Sequence, residues 1–174
     1  LGVEDTRLMR CDTQNYNRSC LNHAVTIESD ALEGVNEIRA GATHACALTR
    51  TGNQETNRVV CWGDNSERQT RPNDSSPTLM PGRVNGVNDA IDLALGAHHS
   101  CALLNSGKVK CWGGNSFGQI GSGTDDSNVL SAQTVMNQNN RELSRQTALF
   151  SATNSACSLG QNGVLNCWGR MFQA

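Results

Sequence analysis

Eight cysteines and four histidines are the side chains of this 174-residue sequence whose types could do chemistry. His44-Ala45-Cys46 and His99-Ser100-Cys101 would each put an imidazole and a thiolate on one strand face, as a zinc site or a Cys-His nucleophile requires. The third copy of the pattern, Ser155-Ala156-Cys157, has no histidine, and no Cys-x-x-Cys pair occurs. A histidine that recurs once per repeat suits packing better than catalysis. The cysteines instead fall as four close pairs, and oxidative cross-linking is the chemistry this arrangement suits. The pairs are Cys11 with Cys20, Cys46 with Cys61, Cys101 with Cys111 and Cys157 with Cys167. Disulfides persist in oxidising compartments, so an extracellular, cell-surface or periplasmic protein is expected. No catalytic residue, metal site or cofactor is expected.

Hairpins must position these pairs. Residues 96 to 123 read GAHHSCALLNSGKVKCWGGNSFGQIGSG, in which two apolar-alternating runs flank the turn Asn105-Ser106-Gly107. Matching Leu104 with Lys108 and counting outward brings Cys101 opposite Cys111. Residues 41 to 69 repeat the unit with five extra residues in the hairpin loop, and Cys157 to Gly169 repeat it around Gln161-Asn162-Gly163. The first cysteines of the three copies lie 55 and 56 residues apart, the period of a repeated supersecondary unit. Small sheets of this kind bury their faces when stacked radially, as in a propeller.

The residues that recur, Ala40 to Leu48 and Gly107 to Gly123, make the sequence resemble the regulator-of-chromosome-condensation type of β-propeller. The cysteine before each Trp-Gly is similar to the secreted bacterial branch of such repeats. The resemblance implies an all-β fold, with about three to four blades of a seven-bladed propeller, each a small antiparallel sheet with a disulfide-bridged hairpin. It divides the chain into an irregular part at 1–35 with a degenerate hairpin, repeats at 36–90 and 91–146, and a partial repeat at 147–174. That last repeat is to be completed by a longer chain or by a partner. Residues 70 to 87, with Pro72, Pro77 and Pro81, read as a connection, and Asp125 to Arg145 as a loop or short helix.

Net charge is −2 and no 18-residue apolar run occurs, so neither nucleic acid nor a membrane-spanning helix is expected. The start at Leu1 reads as a processed or partial N-terminus. Asn17 and Asn73 sit in glycosylation sequons, and Asp125-Asp126 lacks the spacing of a calcium loop. Tryptophans after the cysteines should pack between blades. Recognition is expected from the variable loops on a rigid disc, at Asn53, Gln54, Glu55, Arg68, Arg71, Asp125 and Asp126, with another protein or a surface glycan as partner. The expected role is non-enzymatic macromolecular binding outside the cytosol. A structural subunit of a surface assembly is the alternative drawn from the incomplete ring. Enzyme inhibition and guanine-nucleotide exchange are those implied by the resemblance.

Overall fold

The computed structural model describes residues 26–50, 57–74, 78–124, 126–127 and 129–171. The pairing expected of Cys11 with Cys20 therefore lies outside the described residues, and the structure neither forms nor breaks it. His23, the sequon at Asn17 and the loop residues Asn53, Gln54, Glu55 and Asp125 also lie outside them. After a 3-10 turn at Asp30–Leu32, eleven strands form three antiparallel sheets. The first sheet holds β1 (Val35–Ala40), β2 (His44–Thr49), β3 (Arg58–Gly63) and β4 (Thr78–Asn88), in that order. The second repeats it with β5 (Ala90–Leu95), β6 (His99–Leu104), β7 (Val109–Gly113) and the two-residue β8 (Gln133–Thr134). The third holds β9 (Gln146–Ser151), β10 (Ser155–Gly160) and β11 (Leu165–Gly169).

The turns form where the chain can bend. Gly107 and Gly163 both take φ of 77°, the left-handed conformation each hairpin loop needs. The Leu104 N–H donates to the Lys108 carbonyl at 2.9 Å. Alternation outward from that hydrogen-bonded pair makes Cys101 and Cys111 a non-hydrogen-bonded pair, the closer kind. Each sheet carries its own disulfide across its second and third strands in chain order: Cys46–Cys61, Cys101–Cys111 and Cys157–Cys167, all with Cα atoms 4.1 Å apart.

Adjacent sheets meet along their first two strands, with β2 and β1 packed on β5, and β5 and β6 packed on β9. The cysteine face of each sheet looks toward the next and the tryptophan face toward the previous. One core joins Cys46, Leu48, Val59, Cys61, Val84 and Val87 to Leu93, Ala102 and Trp112 of the second sheet. The other joins Cys101, Leu103, Val109, Cys111 and Val135 to Leu149 and Ala156 of the third, with Trp168 against it. On the third sheet the cysteine face remains open, and Phe150 and Leu165 are exposed.

Two segments read as connections are partly sheet. Residues 78–88 form β4 despite Pro81, because β4 is an edge strand and a missing N–H there breaks no second ladder. Between 126 and 145 the described residues contain no helix; they supply β8 and an isolated bridge between Met136 and Glu142.

The disulfides add stability by restricting the unfolded chain. Replacing Cys101 and Cys111 together by alanine opens a loop with a sequence separation of 10 and is expected to cost about 2–3 kcal/mol. Urea denaturation checks it, with the stability taken from midpoint and m-value together, because a less restricted unfolded chain changes both.

Candidate partner-binding faces

At one end of the sheets each Trp-Gly step turns the chain out into a loop. Gly63, Gly113 and Gly169 take φ of 112°, 107° and 91°. A Cβ at Gly113 would lie 2.6 Å from the His98 carbonyl oxygen, so only glycine fits this approach. The loops that follow are held by two buried carboxamides. The Asn65 Oδ1 accepts the N–H groups of Thr70 and Arg71 at 2.9 and 2.8 Å, and its Nδ2 donates to the Asp74 carbonyl at 2.6 Å. Asn115 repeats the arrangement with the Ile120 N–H at 3.0 Å and the Asp126 carbonyl at 2.8 Å. The Gln69 and Gln119 side chains accept the N–H groups of Glu67 and Phe117 at 2.9 and 2.8 Å, tightening the same loops.

The glutamine main chain then ties each loop to the following sheet. The Trp112 indole N–H donates to the Gln69 carbonyl at 2.9 Å, and Trp168 does the same to Gln119 at 3.0 Å. The recurring histidines bridge the same seams. His44 Nε2 lies 2.8 Å from the Ser100 hydroxyl, which itself donates to the Gln69 carbonyl at 2.8 Å. His99 Nε2 lies 3.0 Å from the Ser151 hydroxyl. The hydroxyl has changed place: Ser100 faces Leu95 across its strand pair, whereas at the equivalent pair Ser151 faces Ala156. Both histidines are buried and their Nδ1 atoms have no partner. Burial, reinforced for His44 by repulsion from His99, lowers both imidazoles from 6.5 to about 4, so they stay neutral near pH 7. The His-x-Cys pairs are thus neither ligand sets nor nucleophiles, because the sulfurs are in disulfides and the imidazoles face the neighbouring sheet.

The surface this creates is a row of loops on one face. Exposed His98, exposed Phe117 and the Arg170 guanidinium 5.0 Å from the Phe117 ring lie on it. Asp64 lies among them. Burial works against its charge, but hydrogen bonds from Ser66 and Gln69 and the nearby His98 hold its carboxyl below the usual carboxylate range. Of the residues expected in recognition, Arg68 stands on this face in a left-handed conformation, φ 63°, with Nη1 3.3 Å from the Pro72 carbonyl. Arg71 turns inward, its guanidinium carbon 3.3 Å from where a Gly82 Cβ would stand, and its Nε is buried without a partner. Asp126 is drawn in through its carbonyl on Asn115. Phe117, His98 and Arg170 are not singled out by the sequence, since exposure of an aromatic at a loop tip is not written in the repeat pattern. Among the described residues no group of three or more His, Cys, Asp or Glu is placed to hold a metal ion.

Comparison with known proteins places this architecture. The regulator of chromosome condensation (RCC1) repeat matches residues 35–69 and 90–119. Among curated relatives, protein pim1 of Schizosaccharomyces pombe is 31% identical over 139 residues, covering 68% of this chain and 24% of that protein. The mouse secretion-regulating guanine nucleotide exchange factor is 27% identical over 135 residues, 69% of this chain and 28% of that one. The human E3 ubiquitin-protein ligase HERC2 is 26% identical over 136 residues, 76% of this chain and 3% of that one. The chain therefore spans about a quarter of pim1 and far less of HERC2. Among solved structures, yeast RCC1 (Prp20), in its complex with Kap60, superposes with a TM-score of 0.65 at 22% identity over 78% of this chain and 32% of that one. Human WBSCR16 superposes with a TM-score of 0.71 at 18% identity over 93% of this chain and 39% of that one. With two matched repeats, three sheets built alike and these structural neighbours, the chain belongs to the regulator of chromosome condensation repeat family of β-propellers.

Proposed function

We propose that this chain is part of a non-enzymatic β-propeller that works outside the cytosol and binds a protein partner through the loop face bearing His98, Phe117, Arg68 and Arg170. The observation that carries the reading is the disulfide in every sheet, set across the hairpin strands of a rigid scaffold while the loops vary. Protein binding is in keeping with the solved complex of yeast RCC1 with Kap60. The open cysteine face of the third sheet is, in this reading, where a further sheet of the same kind docks, as the second docks on the first.

Guanine-nucleotide exchange is the second reading, favoured by the name of the mouse relative. The disulfides weigh against it, since such cross-links are rare in reducing cytosol. Zero-length cross-linking in the extracytoplasmic fraction of the native source tests the proposal. The wild-type chain should join a defined partner, and the Phe117→Ser/Arg170→Ser variant, with unchanged thermal midpoint, should lose it at least tenfold. Equal yield from both chains, or stimulation of nucleotide release from a GTPase with no such partner, would refute it.

A further inference from the structure

The two seams between sheets also differ at their hairpin-turn end. In the first seam Lys110 reaches back from β7 and donates its ammonium to the Gly86 carbonyl at 2.8 Å, within the segment from Val84 to Ala90. Strand register makes Asn166, Val135 and Gln146 the corresponding residues of the second seam. There the connection from Val135 to Gln146 is five residues longer. The extra residues fold into an excursion closed by the Met136–Glu142 bridge and by the Asn137 N–H on the Arg141 carbonyl at 2.8 Å. Asn166 is too short to cross and rests on Gln146 Oε1 of its own sheet at 3.4 Å. A cavity of about 410 Å3 is left open, bordered by Asn137, Glu142, Arg145, Gln161, Asn162 and Asn166.

Arg145 is the conspicuous residue in it. It occupies the left-handed position before the first strand, φ 59°, where the first sheet has Gly34 at 66° and the second Asp89 at 60°. In all three sheets the carbonyl of this residue accepts a main-chain N–H, from Arg50, Asn105 and Gln161 respectively. The backbone role needs no side chain, and a long one is unfavourable there. The Arg145 guanidinium has no hydrogen bond or ion pair among the described residues, and the Glu142 carboxylate is already paired with Lys108. Asn137 and Asn162 spend their oxygens on nearby main-chain N–H groups, Asn137 on Asn139 and Arg141 and Asn162 on Val164, which leaves their NH2 groups as donors. What the cavity offers a ligand is therefore one cation and several neutral donors, the complement of a carboxylate.

We propose that this cleft is a second binding site, on the end opposite the loop face, which takes an acidic side chain from a polypeptide and holds its carboxylate on Arg145. The test is an NMR titration of the oxidised 174-residue chain, following the Arg145 Nε–H and the Asn137 and Asn162 side-chain amides. The probes are a five-residue peptide with a central aspartate and both ends blocked, the same peptide with asparagine, and the asparagine peptide with a free C-terminal carboxylate. Saturable shifts are expected at those groups with the aspartate peptide, at least tenfold weaker with blocked asparagine, and at least tenfold weaker in Arg145→Gln. Arg145→Gly, which suits the left-handed backbone, should keep or raise the thermal midpoint and lose the same affinity. Tighter binding of the free C-terminus than of the aspartate peptide would overturn the assignment to a side chain. Equal binding of aspartate and asparagine peptides, or affinity in Arg145→Gln within twofold of the parent, would overturn the site itself.

Discussion

Truncating Trp112 to alanine is expected to destabilise the chain by about 4 kcal/mol. The indole is fully buried and sits between Leu48, Val59, Val84 and Val87 of one sheet and its own sheet's Leu93 and Ala102. Its removal leaves a cavity in the seam that the surrounding side chains fill only in part. The N–H also leaves the Gln69 carbonyl, which keeps only the Ser100 hydroxyl. Trp112→Phe separates the two contributions: it retains most of the buried area and loses the hydrogen bond, for about 1–2 kcal/mol. Trp168 makes the same bond to Gln119 but is only partly buried, so Trp168→Ala should cost clearly less. Urea denaturation of the oxidised proteins measures all three; equal costs for Trp112→Ala and Trp168→Ala would show that the seam does not depend on burial of the indole.

Acid should loosen both seams. The His44 and His99 imidazoles titrate near 6.5 in an unfolded chain and near 4 here, chiefly because burial penalises the cation. Between those values the unfolded state binds more protons, so stability falls as pH falls from 6.5 to 4 and these two groups take no further toll below that. The full difference is about 3 kcal/mol for each histidine. Two carboxyl groups also shift. Asp64 is held below the usual carboxylate range, so its contribution is lost only at lower pH, and burial raises Glu37, which offsets a small part of the loss. Thermal midpoints at pH 7.5, 6, 5 and 4.5 should drop steadily. His44→Gln/His99→Gln, whose amides still reach Ser100 and Ser151, should flatten the slope; a double variant as acid-sensitive as the parent would contradict the assignment.

These two effects arise from features that differ in how far the sequence discloses them. The hairpins, the register of the six cysteines in the three sheets and the between-sheet tryptophans are legible because each depends on local alternation, a glycine at the turn and a repeat that shows three times. The fourth strand β4 is hidden by Pro81 and by glycines, since edge strands tolerate residues that a central strand does not. Why histidine recurs is only half legible. His44 and His99 announce themselves, but their partners sit 56 and 52 residues away and at non-equivalent positions, Ser100 and Ser151, so no spacing rule finds them. Asn65 and Asn115 look like ordinary loop residues in sequence; their importance lies in main-chain groups they satisfy five to eleven residues further on. The cleft at Arg145 is the least legible, because it arises from an insertion and a Lys-to-Asn exchange that bear on each other only across the seam.

Both the stability of the seams and the proposed role require sheets cross-linked one by one in an oxidising compartment. Intact mass of the protein from its native source, alkylated under denaturing conditions before and after reduction, tests this most directly. No added alkyl group before reduction and at least six after it is the expected result, with Cys46, Cys61, Cys101, Cys111, Cys157 and Cys167 among the modified residues. Modification of Cys11 and Cys20 only after reduction would extend the same pairing to the N-terminal part of the chain. Alkylation of the six sheet cysteines without reduction would mean free thiols in the working protein and would contradict both the disulfide-locked sheets and the placement outside the cytosol.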